Sequence, residues 1–202
     1  MNAPLKPPSP FICGVRSVHL GVTDLASTLD FFKQGWGLTQ AAASGAEVYL
    51  RGTGPDAYVV ALQQKAQTEV LLVDLRARDR AAVDALHARL AQAGAADLST
   101  PREIADYAGG YGLTVRDPEG RLLRVIANDH RHADTQDAID LPRKISHLVM
   151  NTADAENVEA FYTQTLGLRL VDRSRRITFL NCNSDHHSIA LVPGSHTSLH
   201  HI

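Results

Sequence analysis

Ten histidines are spread over this 202-residue chain, and five of them fall between His186 and His201. Imidazole suits two kinds of chemistry near neutral pH, ligation of a divalent transition metal and proton transfer. Which of the five could act together depends on the faces they occupy. Side chains alternate faces along a strand, so only one of His186 and His187 can point into a sheet's concavity. The same holds for His200 and His201. His147 stands near the start of the strand-like run Ile145-Ser146-His147-Leu148-Val149-Met150-Asn151, and His201 takes the like position in the next unit. Two repeated units facing each other bring His147 and His201 into one cleft, the beginning of a metal site. His187 converges on the same cleft, with His186 turned away.

The other histidines read more plainly. His19 is expected to be a packed or solvent-facing side chain, because Val70 stands where the later unit has His201. His87 lies on a helix, and His130 and His132 lie in a polar connecting stretch, so solvent exposure is expected. Asp56 and Asp185 occur at matched places in the two copies and suit a turn or cap. Cys13 and Cys182 have no paired spacing and read as free thiols of a reducing compartment, with the cytoplasm the default.

The elements that must position these residues come from an internal repeat. His19-Leu20-Gly21-Val22-Thr23-Asp24, followed by Phe31-Phe32 and Gly37-Leu38, aligns with His147-Leu148-Val149-Met150-Asn151-Thr152, followed by Phe161-Tyr162 and Gly167-Leu168. An offset of about 130 residues means one supersecondary plan used again. Residues 15–22 read as a strand, and Thr23 or Asp24 caps a helix whose stripe is Leu25, Leu29, Phe32 and Trp36. Strands are expected at 47–51 and 58–62. A second unit follows: a strand at 69–75, a helix over 79–93 burying Val83, Leu86 and Leu90, and a hairpin of 112–116 with 122–127. A third unit spans a strand at 145–151, a helix over 155–165, and strands at 178–181 and 188–192. Leu199-His200-His201-Ile202 resembles the opening of a fourth. The fold class is α+β, with helices against curved mixed sheets built from paired βαβββ modules. The expected organisation is an N-terminal arm at 1–14, a two-module domain at 15–127, a linker at 128–142, and 143–202 as one module plus the start of another.

Composition narrows the function classes. The chain is 44% hydrophobic and 21% charged with a formal net charge of −2, which is ordinary for a globular domain. No basic bias points to nucleic acid, and no apolar run is long enough to span a membrane.

On these residues the chain resembles the vicinal oxygen chelate superfamily, and within it the type I extradiol ring-cleavage dioxygenases. The segments that carry the likeness are Ser146-His147-Leu148-Val149, Asn183-Ser184-Asp185-His186-His187-Ser188 and Leu199-His200-His201-Ile202, with the Asp117-Pro118-Glu119-Gly120 turn. The resemblance implies Fe(II), with Mn(II) as the alternative, held by His147, His201 and a glutamate, and His187 as the acid–base histidine. It implies a small aromatic diol and O2 as reactants and a homo-oligomer as the assembly. In the first domain it places Val70 where the second histidine would be and Arg124 where the glutamate would be, so that domain is expected to be metal-free. The family's glutamate lies on the last strand of a fourth module, which the resemblance places after residue 202. The expectation is therefore a C-terminally shortened, inactive dioxygenase. The rival readings are a non-catalytic small-molecule-binding member and another metal-dependent member of glyoxalase type.

Overall fold

The computed structural model describes residues 9–133 and 137–202. Residues 1–8 of the expected arm and 134–136 of the expected linker lie outside them. The first module runs β1 (Ile12–Val22), α1 (Leu25–Asp30), β2 (Thr39–Ser44), β3 (Glu47–Arg51) and β4 (Val60–Gln64). The second runs β5 (Glu69–Ala77), α2 (Arg80–Gln92), β6 (Arg102–Glu103), β7 (Tyr111–Arg116) and β8 (Leu122–Ala127). The third runs β9 (Leu148–Thr152), α3 (Ala155–Ala160), β10 (Arg169–Arg173), β11 (Thr178–Asn181) and β12 (Ile189–Pro193), and β13 (Ser198–His201) follows.

Two mixed, open sheets result, in the orders β2-β3-β4-β1-β5-β8-β7-β6 and β10-β11-β12-β9-β13. In each whole module the first strand runs parallel to one of the last, as β1 does to β4, β5 to β8 and β9 to β12. Neighbouring modules meet through their first strands, antiparallel, in the pairs β1–β5 and β9–β13. The α+β class and the paired-module plan stand.

Local chemistry explains the helices. Asp79 caps α2 by accepting the Ala82 N–H at 2.7 Å, and Asp24 and Asp154 cap α1 and α3 in the same way. The face of α2 buries Val83, Leu86 and Leu90 completely, each contributing about 1.5–3 kcal/mol relative to exposure. The expected continuous helices over 25–36 and 155–165 instead change pitch. After six α-helical residues each widens into a π turn, Phe31–Gly35 and Phe161–Thr165. The wider turn places Phe32 and Tyr162 inside, and Gly37 and Gly167, both at positive φ, then turn the chain.

Strand pairing corrects the repeat. Val18 pairs with Val60 and Leu148 with Ile189, so the counterpart of His147 is Ser17, and His19 lies two residues further on. Likewise Val70 corresponds to Leu199, not to His201, whose counterpart is Leu72. Both copies carry a bulge just there, between the His19 and Leu20 pairings and between the Leu199 and His201 pairings. A bulge adds a residue that a plain count along the sequence misplaces.

The β7–β8 turn ties the two sheets together. Glu119 accepts the N–H groups of Ala153 and Asp154 at 2.5 and 2.9 Å, and Arg121 donates to the Asn151 carbonyl at 2.6 Å. The buried Tyr162 hydroxyl reaches Asp117 at 3.4 Å.

Candidate functional site

Three strands deliver the three expected histidines to one place. His147 immediately precedes β9, His187 lies just before β12, which runs parallel to β9, and His201 ends β13 on β9's other side. The His147 ring lies 4.4 Å from that of His187 and 5.6 Å from that of His201, centroid to centroid. His186 turns outward with its side chain 62% exposed, and its Nε2 is 3.8 Å from Asp172. Phe179 backs the pair, 5.0 Å from His187 and 5.6 Å from His186.

Electrostatics favour the neutral form of His187 and of His201. Burial, and then the charges of His147, His186 and His201, push the His187 imidazole below its ordinary pKa. Burial, then His200 and His147, lower His201 in the same way. Neutral imidazole is the form that ligates metal and accepts protons. The Nδ1 atoms of His186 and His187 approach to 3.1 Å, and those of His200 and His201 to 2.7 Å, so in each pair one ring donates to the other. The nearby carboxylate is engaged elsewhere, for Asp185 takes a 2.5 Å contact from Lys144.

His19 takes the packed one of its two expected placements. It is only 5% exposed, and its Nε2 lies 3.1 Å from both the Asp74 carboxylate and the Tyr58 hydroxyl, with Glu47 at 3.4 Å from Nδ1. It is a packed histidine, yet a bonded one. Burial opposes its charge, but hydrogen bonds that its ring donates to Asp74 and Glu47 outweigh burial and raise its pKa. The signal for this cluster was present in the sequence. Asp74 and Arg124 interrupt the apolar runs Val73-Asp74-Leu75 and Leu123-Arg124-Val125, and charges on buried strands must pair.

Cys13 and Cys182 are free, and burial lifts the Cys182 thiol to about 11. A groove of about 540 Å³ opens between Leu20, Val70, Met150 and Leu199, bordered by Glu119 and Arg121. None of the three clustered histidines lines it. Among the described residues no helix is long and apolar enough to cross a membrane.

Comparison with known proteins decides the fold. The family model for the Glyoxalase/Bleomycin resistance protein/Dioxygenase superfamily matches residues 144–202. The Mn(II)-bound glyoxalase of Novosphingobium aromaticivorans superposes over 94% of this chain and 64% of its own, with a TM-score of 0.88 at 30% identity. The architecture is of the vicinal oxygen chelate type. Metapyrocatechase 2 of Cupriavidus necator is 31% identical over 136 residues, 56% of this chain and 41% of that protein. Biphenyl-2,3-diol 1,2-dioxygenase of Metapseudomonas furukawaii is 26% identical over 189 residues, 85% of this chain and 62% of that protein. The chain thus spans under two thirds of the length of these relatives.

The metal that the fold implies can be tested against the residues present. Among the described residues no group of three or more His, Cys, Asp or Glu side chains is placed to hold a metal ion. Among the described residues, His147 and His201 supply imidazole, and the nearby Asp185 is paired with Lys144. The described set does not fit a 2-His-1-carboxylate centre.

Proposed function

We propose that the face formed by His147, His187 and His201 is part of a small-molecule site of the vicinal oxygen chelate kind, and that these 202 residues bind without turning over. One observation carries this reading: three imidazoles from three strands meet around His147, at 4.4 and 5.6 Å, and among the described residues no carboxylate joins them in a metal-holding group. His187, held with a lowered pKa against Phe179, is the group suited to take a proton from a bound hydroxyl. His147 and His201 are the groups suited to face a divalent cation.

For the protein to which the face belongs, two finer readings are supported by relatives. The Mn(II)-bound glyoxalase, similar over nearly the whole chain, supports a metal-dependent enzyme of glyoxalase type. The metapyrocatechase and the biphenyl-2,3-diol dioxygenase support extradiol cleavage of a catecholic compound by O2 with Fe(II). His187 serves either as an acid–base residue.

The test is equilibrium dialysis of the chain against Mn(II), with and without catechol, alongside an oxygen electrode. Loose metal uptake, lost in His147→Ala and tightened by catechol, is expected, with no oxygen consumption. Rapid oxygen uptake with Fe(II), or metal uptake indifferent to His147→Ala, contradicts the proposal.

A further inference from the structure

The chain leaves the first sheet and enters the second past one short loop, which holds it on both passes. That loop lies between β3 and β4 and reads Gly52-Thr53-Gly54-Pro55-Asp56. On the outward pass the Pro55 carbonyl accepts the His132 N–H at 2.9 Å, and Asp56 pairs antiparallel with Arg131. On the inward pass Thr53 N–H donates to the Pro142 carbonyl at 2.9 Å and Gly54 N–H to the Arg143 carbonyl at 3.1 Å. Two successive donors thus grip two successive acceptors. Thr53 Oγ1 adds a contact to Asp137 at 3.4 Å, and Arg143 pairs with the same carboxylate.

Glycine is what permits so close an approach. A Cβ on Gly54 would stand 2.5 Å from the Arg143 carbonyl oxygen, and one on Gly52 closer still to that of Pro142. Both neighbours are backbone atoms, which cannot swing aside as a side chain can. Neither glycine adopts positive φ, so the space it leaves is its contribution. Directly after the gripped carbonyls comes the histidine face. Lys144 binds Asp185, two residues before His187, at 2.5 Å. Ile145 is buried, and Ser146 Oγ lies 3.3 Å from His147 Nδ1. With Lys144 and Ile145 both held, the short run from Arg143 to His147 has little slack to absorb a displacement at the loop.

We propose that Gly52, Thr53 and Gly54 are positioning residues for the histidine face: the loop sets where β9 begins and so holds His147 against His187. This rests on the reading of that face as a small-molecule site, and it makes the first sheet part of the site's support. Imidazoles brought together from separate strands keep their geometry only while the strand ends are fixed.

Gly54→Ala tests this in the full chain, with Gly194→Ala as the control, because a Cβ at Gly194 meets nothing within 4 Å. The readouts are the imidazole NMR signals and their broadening by Mn(II). In Gly54→Ala the His147 signals should move and its ring contact with His187 weaken. The Mn(II) level that half-broadens His147 should rise about tenfold. His87 should stay in place, and Gly194→Ala should match the parent. A lowered Tm with His147 unmoved would show a loop that is merely structural, and overturns the inference. Mn(II) that leaves His147 sharp in the parent overturns the reading of the face instead, while the shift of the ring signals in Gly54→Ala still reports the positioning. If Gly54→Ala does not fold, amide exchange in the parent decides. The Thr53 and Gly54 N–H groups should exchange in step with that of Leu148, which opens β9 by donating to the Ser188 carbonyl. Fast exchange at the loop beside a protected Leu148 overturns the inference.

Discussion

Ser17 occupies in the first sheet the strand position that His147 occupies in the second, as the pairings Val18 with Val60 and Leu148 with Ile189 establish. One backbone plan therefore serves two chemistries. Where the first sheet has a serine hydrogen-bonded to a buried aspartate, the second has an imidazole whose ring lies 4.4 Å from another, tilted by 38°. The first concavity is closed by an ion pair and the second is left open.

That ion pair should dominate the stability of the first sheet. Asp74→Asn leaves Arg124 and His19 without their shared carboxylate while keeping the side chain's size. We expect a cost of about 3–5 kcal/mol, read as a Tm lower by roughly 10 °C. A change within a degree of the parent protein would show that Asp74 is not compensating these charges.

The same cluster sets a pH dependence. Hydrogen bonds to Asp74 and Glu47 raise the folded pKa of His19, so its contribution is fully present below the unfolded value of about 6.5. It is lost as pH rises through the raised folded value. Asp74 behaves oppositely: Arg124 and His19 hold its pKa well below the ordinary range against full burial. Its contribution is present above about 3.9 and is lost only as pH falls through the depressed value. Melting curves from pH 5 to about 9 should decline on the alkaline side in the parent, and His19→Gln should flatten that decline. An unchanged slope in the variant contradicts this assignment.

Much of this arrangement was legible beforehand, and the omissions have physical reasons. The helix stripe Val83, Leu86 and Leu90, the hairpin around Asp117-Pro118-Glu119-Gly120 and the strand at 47–51 follow from periodicity and turn chemistry. Strands β2 and β10 did not emerge because they are edge strands, and β2 is Thr39-Gln40-Ala41-Ala42-Ala43-Ser44, poor in β-branched residues and largely exposed. β6 has only two residues. The convergence of His147, His187 and His201 was readable because misplacing His147 against His19 is a slip of two, and two residues preserve the face. The exact counterpart of His201 was not, because the bulge shifts Leu72 into that place.

The contact between the sheets makes a separate prediction. Glu119→Ala removes the acceptor for two N–H groups at the start of α3 and frees Arg121 from one of its partners. A loss of about 1–3 kcal/mol is expected. Urea unfolding should broaden as the second sheet releases before the first. A single transition at the parent midpoint would show that the turn does not fasten the sheets.

The histidine face is best tested by following imidazole signals in two-dimensional NMR during Mn(II) titration of the chain. Paramagnetic broadening should strike His147, His187 and His201 first and together, at metal levels well above those that saturate a complete three-ligand centre, while His19 and His87 stay sharp. The His147→Ala variant should lose the selectivity. Broadening that spares these three histidines, or tight stoichiometric binding by the chain, would contradict the reading of an open, incomplete metal-facing site.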